Sequence, residues 1–221
     1  MLHRLKRYTR GRRLKLFNEF MGGVTRRTRL IDLGGTAAFW ENWGLARQPL
    51  LEVTLVNDHH QDKTHEHEPI TLPNIRNVRA DVLTLSASDL AEYDVIFSNS
   101  LIEHLPGPQS QRQLAQAIID SGRPYFLQTP NKSSPVDPHF PRPYVPFFAA
   151  YPRPVQARLL SWSALGSGSA APSYEAALVR LANYHPLTAR GVRQLFPQAR
   201  IVMERPLGVP MSIIAMSGAR A

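Results

Sequence analysis

The sequence predicts an α/β fold in which a doubly wound, mainly parallel sheet is covered by helices on both faces. Three observations carry this expectation. Short apolar runs ending in Gly, Asn, Asp or Ser recur between residues 29 and 128, with stretches of helical spacing between them, and that alternation implies βαβ units. Two further apolar runs near the C-terminal end are joined by a connection too short for a crossover, so they form an antiparallel pair at the sheet edge. The 221 residues suit one such domain and are few for two.

Each element has local grounds. Residues 1–28 form a basic segment in which Leu2, Leu5 and Tyr8 recur at helical spacing, so it reads as a helical arm on a main domain of residues 29–221. Arg29 to Leu33 is a short apolar run stopped by Gly34 and Gly35, the mark of a buried strand. Thr36 to Ala46 follows as a helix with Phe39, Trp40 and Trp43 on one side. Leu51 to Val56 is a second strand, stopped by Asn57 and Asp58. Asn74 to Ala80 is a third, ending at Asp81 with Val82 behind it. Tyr93 to Phe97 is a fourth, ending at Ser98, Asn99 and Ser100. Gln111 to Ile119 has Leu114, Ala117 and Ile118 at helical spacing, and Tyr125 to Gln128 is a fifth strand. Residues 132–186 break the pattern with Pro-rich and aromatic stretches and a Gly166–Ser169 loop. They read as a helical, aromatic cap inserted at the carboxyl edge of the sheet, over an apolar pocket. Thr188 to Phe196 resumes as a helix, and Ala199 to Met203 and Pro210 to Met216 close the sheet around Pro206-Leu207-Gly208.

A net charge of +9 suggests nucleic acid until the charge is located. Residues 1–30 hold ten Lys and Arg against one acid, Glu19, out of 26 and 17 in the chain, so the rest holds sixteen of each and is neutral. The excess lies in Arg4 through Lys15, with Arg26, Arg27 and Arg29 behind it. Such a segment reads either as a solvated helix face or as a contact for phosphate, anionic lipid or an acidic partner. The neutral body argues against nucleic acid. The absence of cysteine excludes disulfides and thiolate metal sites. No apolar run approaches the roughly 18 residues of a membrane span, and no secretory signal is visible. The expected compartment is the cytoplasm, with peripheral membrane contact through the basic arm as an open alternative.

In a doubly wound sheet a nucleoside cofactor lies across the carboxyl ends of the first strands, and each of those ends carries a suitable group. Gly34 and Gly35 let a ligand approach the backbone and a helix N-terminus. Asn57 and Asp58 suit ribose hydroxyls, Asp81 an exocyclic amine, and Ser98, Asn99 and Ser100 stand at the centre of the sheet. His104, with Glu103 beside it, and His139 at the start of the insertion are candidate general bases, each with a buried or capping histidine as the plain alternative. His59, His60, His65 and His67 crowd one loop with Asp58 and Asp62, but such short spacings supply no rigid geometry and no metal site is expected.

Ile31-Asp32-Leu33-Gly34-Gly35-Thr36, followed by Phe39-Trp40, resembles the first motif of the class I S-adenosylmethionine-dependent methyltransferases. Tyr93 through Leu105, with Ser98-Asn99-Ser100-Leu101-Ile102-Glu103-His104 inside it, resembles their fourth-strand motif. Phe126 to Asn131 and Leu187 to Pro197 are similar to the later part of small-molecule members, so the resemblance runs roughly from Thr28 to Ser217. It implies a Rossmann-like, three-layer α/β/α domain with a seven-stranded sheet whose last strand is reversed. It also implies S-adenosylmethionine as cofactor and methyl transfer to a small molecule, such as a natural product, a glycan or a lipid-linked sugar. By the same resemblance Asp32 and Gly34 lie near the methionine moiety, Asn57 or Asp58 near the ribose, and Asp81 near the adenine, with Gly35, Thr36 and Val82 as further cofactor-binding candidates. Thr36 and Ala38 stand where further glycines are common. Three other readings remain at this stage. An RNA methyltransferase fits the basic arm, although the fourth strand ends in Ser-Asn-Ser rather than Asn-Pro-Pro-aromatic. A nicotinamide oxidoreductase expects Gly-x-Gly-x-x-Gly, which Gly34 to Phe39 does not match. A binding protein that kept the fold and lost turnover fits the thinned glycine loop.

Overall fold

The computed structural model describes residues 2–58, 72–137, 145–162 and 171–218, with side chains from residue 11 onward. The histidine loop, His139, Phe140, Tyr144, the Gly166–Ser169 loop and the side chains of Leu2, Leu5 and Tyr8 lie outside these residues.

Seven strands form one sheet among the described residues: β1 (Thr28–Leu33), β2 (Leu51–Asn57), β3 (Ile75–Arg79), β4 (Val95–Asn99), β5 (Tyr125–Pro130), β6 (Arg200–Glu204) and β7 (Ser212–Ser217). Their order across the sheet is β3-β2-β1-β4-β5-β7-β6. The first five pair in parallel, while β7 runs antiparallel to both β5 and β6. The hairpin expected at the C-terminal end is therefore present, with β7 inserted beside β5 and β6 left at the edge. Order reverses between β1 and β4, and in doubly wound sheets ligands bind outside the carboxyl ends of the strands at such a reversal.

Helices cover both faces. One face carries α1 (Leu2–Met21) and α2 (Ala37–Asn42); the other carries α3 (Ala87–Ala91), α4 (Gly107–Asp120) and α7 (Ala189–Leu195). Successive strand residues alternate between the two cores, as a period of two demands: Leu30, Phe97, Phe126 and Ile214 pack under α1 and α2, and Ile31, Ile96, Leu127 and Ala215 under α4 and α7. The first core is built on rings. Phe17 of α1 lies 5.3 Å from Phe97 and 5.4 Å from both Phe126 and Trp43, two of these contacts edge-on, a geometry worth about 0.5–1.5 kcal/mol per pair beyond the area it buries.

Several elements differ from their sequence-predicted limits, each for a local reason. The helix expected over Thr36–Ala46 is only Ala37–Asn42, because Gly44 takes a left-handed φ of 71° just beyond it. β4 extends through Ser98 and Asn99, which pair with Leu127 and Gln128, and β5 runs on to Pro130 against β7. Helix α3 had a local sign in Ser86 and Asp89, which form a capping box at its start. In the insertion, α5 (Arg153–Ser161) and α6 (Tyr174–Ala182) share a small core of Phe148, Ala157, Leu160, Ala177, Leu181 and Tyr184, separate from the two cores of the sheet. No described helix is long and apolar enough to cross a membrane.

Candidate functional site

The carboxyl end of β1 holds a buried acid. Asp32 is fully enclosed, its Oδ2 accepts from Trp40 Nε1 at 2.8 Å, and its Oδ1 has no hydrogen-bond partner. Burial outweighs the indole hydrogen bond and lifts the carboxyl from an ordinary 3.8 to about 7. The turn that follows is shaped around this group. A Cβ at position 35 would sit 1.8 Å from Asp32 Oδ2, and one at position 34, where φ is 76°, would sit 2.8 Å from Leu101 Cδ1. Thr36 is the N-cap residue of α2, but its hydroxyl makes no capping bond.

The neighbouring strand ends supply the other groups. Asn57, the last residue of β2, donates from Nδ2 to Gly35 O at 2.8 Å. This braces the β1 turn and leaves Asn57 Oδ1 as an acceptor. Asp58 follows, exposed. Asp81 is exposed beyond β3, where its Oδ1 accepts from Leu83 N at 2.9 Å and caps a turn of 3-10 helix; Val82 beside it is buried. Ser98 is buried and donates to Leu33 O at 3.1 Å, tying β4 to β1. Ser100 holds a left-handed φ of 61°, and its Oγ donates to Gln128 Oε1 at 3.0 Å.

Asn99 brought a partner that sequence reasoning did not anticipate. Its Oδ1 accepts from Arg13 Nη1 at 2.6 Å, and Gln128 Oε1 accepts from the same nitrogen at 3.2 Å. The rest of the guanidinium is forked onto Glu204 at the end of β6, Nη2 to Oε2 at 2.5 Å and Nε to Oε1 at 3.2 Å. The two side chains are only 11% and 9% exposed. At least one cation of the basic segment is thus no part of a solvated face. The available sign was in the strands: Gln128 and Glu204 are polar residues at positions that alternation assigns to the α1 side.

A second polar cluster joins the turn after β4 to the segment between β5 and α7. Glu103 is fully buried, with Oε2 accepting from Thr129 Oγ1 at 2.9 Å and Oε1 lying 3.9 Å from His104 Nε2. His104 keeps 37% of its side chain exposed, places Nδ1 3.3 Å from Asn183 O and meets the Tyr184 ring at a tilt, 5.9 Å between centroids. Tyr184 is buried and donates to Asp137 Oδ2 at 2.8 Å. Burial, then the charges of Asp137 and Glu103, push its phenol well above the ordinary range, so it acts as a donor. Arg153 donates to Tyr184 O, and Gln111 Nε2 donates to both Ile102 O and His185 O. Of the aromatics between β5 and α7, Phe148 is buried in the small core of α5 and α6, whereas Phe147, Tyr151 and Trp162 are exposed.

The structure therefore gathers Asp32, Gly34, Gly35, Asn57, Ser98, Asn99 and Ser100 along the adjacent carboxyl ends of β2, β1 and β4. Glu103 and His104 lie just beyond β4, and Asp81 at the end of β3. No protein-family profile and no curated protein matches the sequence. Solved structures do match. An S-adenosylmethionine-dependent methyltransferase from Mesorhizobium loti superposes with a TM-score of 0.54 at 14% identity, covering 96% of this chain and 98% of that one. The N-terminal domain of EvdMO1 with SAH bound gives 0.53 at 17% identity, covering 96% and 81%. PigF with SAH is a longer chain, of which this one spans 56%, with 86% of this chain covered, 16% identity and a TM-score of 0.49. At such identities the likeness is one of fold.

Proposed function

We propose, from the class I methyltransferase fold that this chain has, that it transfers a methyl group from S-adenosylmethionine to a small-molecule acceptor. The observation that carries the reading is Asp32. A fully buried carboxylate with one oxygen unpartnered, under a turn kept free of β-carbons, is expensive in the unliganded protein. A cationic or N–H-rich ligand at the β1–β4 crevice would offset that cost, and the amino-acid end of the cofactor has this character. Asn57 Oδ1 and Asp58 suit the ribose, and Asp81 with Val82 suits the adenine, since the capping bond engages only one oxygen of Asp81.

When bound, the cofactor supplies an activated methyl group on a sulfonium. What the protein adds is alignment, worth roughly 7–11 kcal/mol of barrier when the reacting atoms are held in line. The acceptor side of the reading rests on the Glu103–His104 pair beyond β4. His104 is the exposed member, and its two ring nitrogens face Asn183 O and Glu103 Oε1. To serve as a base, His104 would turn Nε2 from Glu103 toward the acceptor while Asn183 O holds Nδ1. His139 remains a second candidate base on sequence grounds. The exposed Phe147, Tyr151 and Trp162 supply apolar surface for the acceptor. The basic segment beyond Arg13 suits an anionic group on it or a membrane surface.

Calorimetric titration with S-adenosylmethionine and S-adenosylhomocysteine tests the reading, with Asp81→Ser as the control. Serine caps a helix about as well as aspartate but is too short to reach an adenine amine. Native binding that weakens by about ten- to a hundredfold in Asp81→Ser, as loss of a charged hydrogen bond of about 1.5–3 kcal/mol predicts, supports it. Folded native protein that binds neither nucleoside sinks it.

A further inference from the structure

Arg13 belongs to none of the motifs that carry the family resemblance, yet it touches three strands, β4, β5 and β6. We infer that Arg13 is a positioning residue, holding the carboxamides of Asn99 and Gln128 so that their N–H groups form a paired donor site for the oxyanion of a ligand in the crevice. The inference rests on the methyltransferase reading.

The orientation of both amides follows from chemistry. A guanidinium has only donors, so each amide must turn its oxygen toward Arg13 Nη1. Ser100 Oγ adds a second donor to Gln128 Oε1 at 3.0 Å, which leaves that oxygen facing donors on two sides. Asn99 and Gln128 are register partners on adjacent parallel strands, so their side chains leave the same face about 4.8 Å apart. With both oxygens committed, both NH₂ groups point away from Arg13, and no described residue accepts from them. Gln128 is only 4% exposed, yet its Nε2 is not among the enclosed atoms that lack a partner, so its N–H groups open on accessible space.

The charge balance suits an anion held by donors rather than by a bare cation. Glu204 neutralises Arg13 through two contacts, while donation from a guanidinium into an amide oxygen strengthens the N–H groups at the other end of that amide. Ser100 keeps its hydroxyl on Gln128 at the expense of a left-handed backbone, a strain of the kind that collects at functional sites. The oxyanion has two chemical sources: the carboxylate of the cofactor's amino-acid end, or a carboxylate or phosphate on the acceptor.

Two variants separate positioning from folding. Asn99→Asp keeps an oxygen on Arg13 and deletes the outward N–H; Arg13→Lys keeps a charge near Glu204 and loses the fork. Calorimetry with S-adenosylhomocysteine and with methylthioadenosine, which lacks the amino-acid end, reads the site directly. The expected result is a native preference for S-adenosylhomocysteine that falls about tenfold or more in both variants, with methylthioadenosine affinity retained in both and Tm retained in Asn99→Asp. If the preference holds but inorganic phosphate, added to the S-adenosylhomocysteine complex, shifts the side-chain amide NMR signals of Asn99 and Gln128 in the native protein and not in Arg13→Lys, the acceptor supplies the oxyanion and the inference stands. A preference unchanged in both variants, with no such phosphate response, overturns it. Should Arg13→Lys fail to fold, Asn99→Asp decides alone. Native protein that binds neither nucleoside removes the methyltransferase reading, and this inference with it.

Discussion

Replacing Asp32 by asparagine removes a buried charge while keeping the shape and an oxygen for Trp40 Nε1. The folded carboxyl titrates at about 7 against an ordinary 3.8, with burial as the main cause. Because the folded value is the higher one, the stability that this group contributes is fully present below pH 3.8 and lost as pH rises through 7. Above pH 8 the ionised form costs roughly 4 kcal/mol, at 1.36 kcal/mol per pH unit between the two values. Part of that loss has already occurred at pH 5, so the change from pH 5 to pH 8 is about 2.5 kcal/mol. In a chain of this length that corresponds to roughly 5–10 °C in Tm. The N–H group that asparagine adds is pH-independent and cancels from the difference. Thermal unfolding of native and Asp32→Asn protein should therefore give a Tm gap that moves by this amount in favour of the variant between pH 5 and pH 8, then stays level. Parallel curves across that range would refute the buried, unpartnered carboxylate. The native protein saturated with S-adenosylhomocysteine should show a smaller pH effect, because a ligand donor to Asp32 lowers its folded value.

Other consequences follow from the same geometry. Phe17→Ala leaves a hole among Trp43, Phe97 and Phe126 and should cost about 3–5 kcal/mol in urea unfolding; a loss under 1 kcal/mol would mean that α1 is dispensable to the core. Gly35→Ala drives a Cβ into the Asp32 carboxylate, so it should cost about 1–3 kcal/mol and alter Trp40 fluorescence. Adding Asp32→Ala to that variant should recover part of the loss, and strictly additive effects would argue against the clash.

Much of the fold was legible because its signals are local. The apolar runs of β1, β2 and β4 and their stop residues need no knowledge of the rest of the chain. The same holds for Gly34, whose positive φ suits glycine, and for Asp81 at a strand end. Element limits were less legible. Ser98 and Asn99 look like a stop, but a parallel ladder to Leu127 and Gln128 and a bond from Ser98 to Leu33 O give the chain a reason to continue. α5 and α6 were hidden by prolines and by a core too small to print a clear stripe.

By itself, the sequence determined a doubly wound sheet with a reversed last strand and a carboxyl edge carrying Gly34, Asn57, Asp81 and Asn99, because period, polarity and turn chemistry act over a few residues. Only the tertiary structure decided what those groups touch. Asp32 became a buried acid because Trp40 folds back over it, and Glu103 because Thr129 and His185 bond to it. Arg13 reaches Asn99, Gln128 and Glu204 across separations of 86, 115 and 191 residues. Contacts of that span depend on strand register and on the path of α1, which no local pattern encodes.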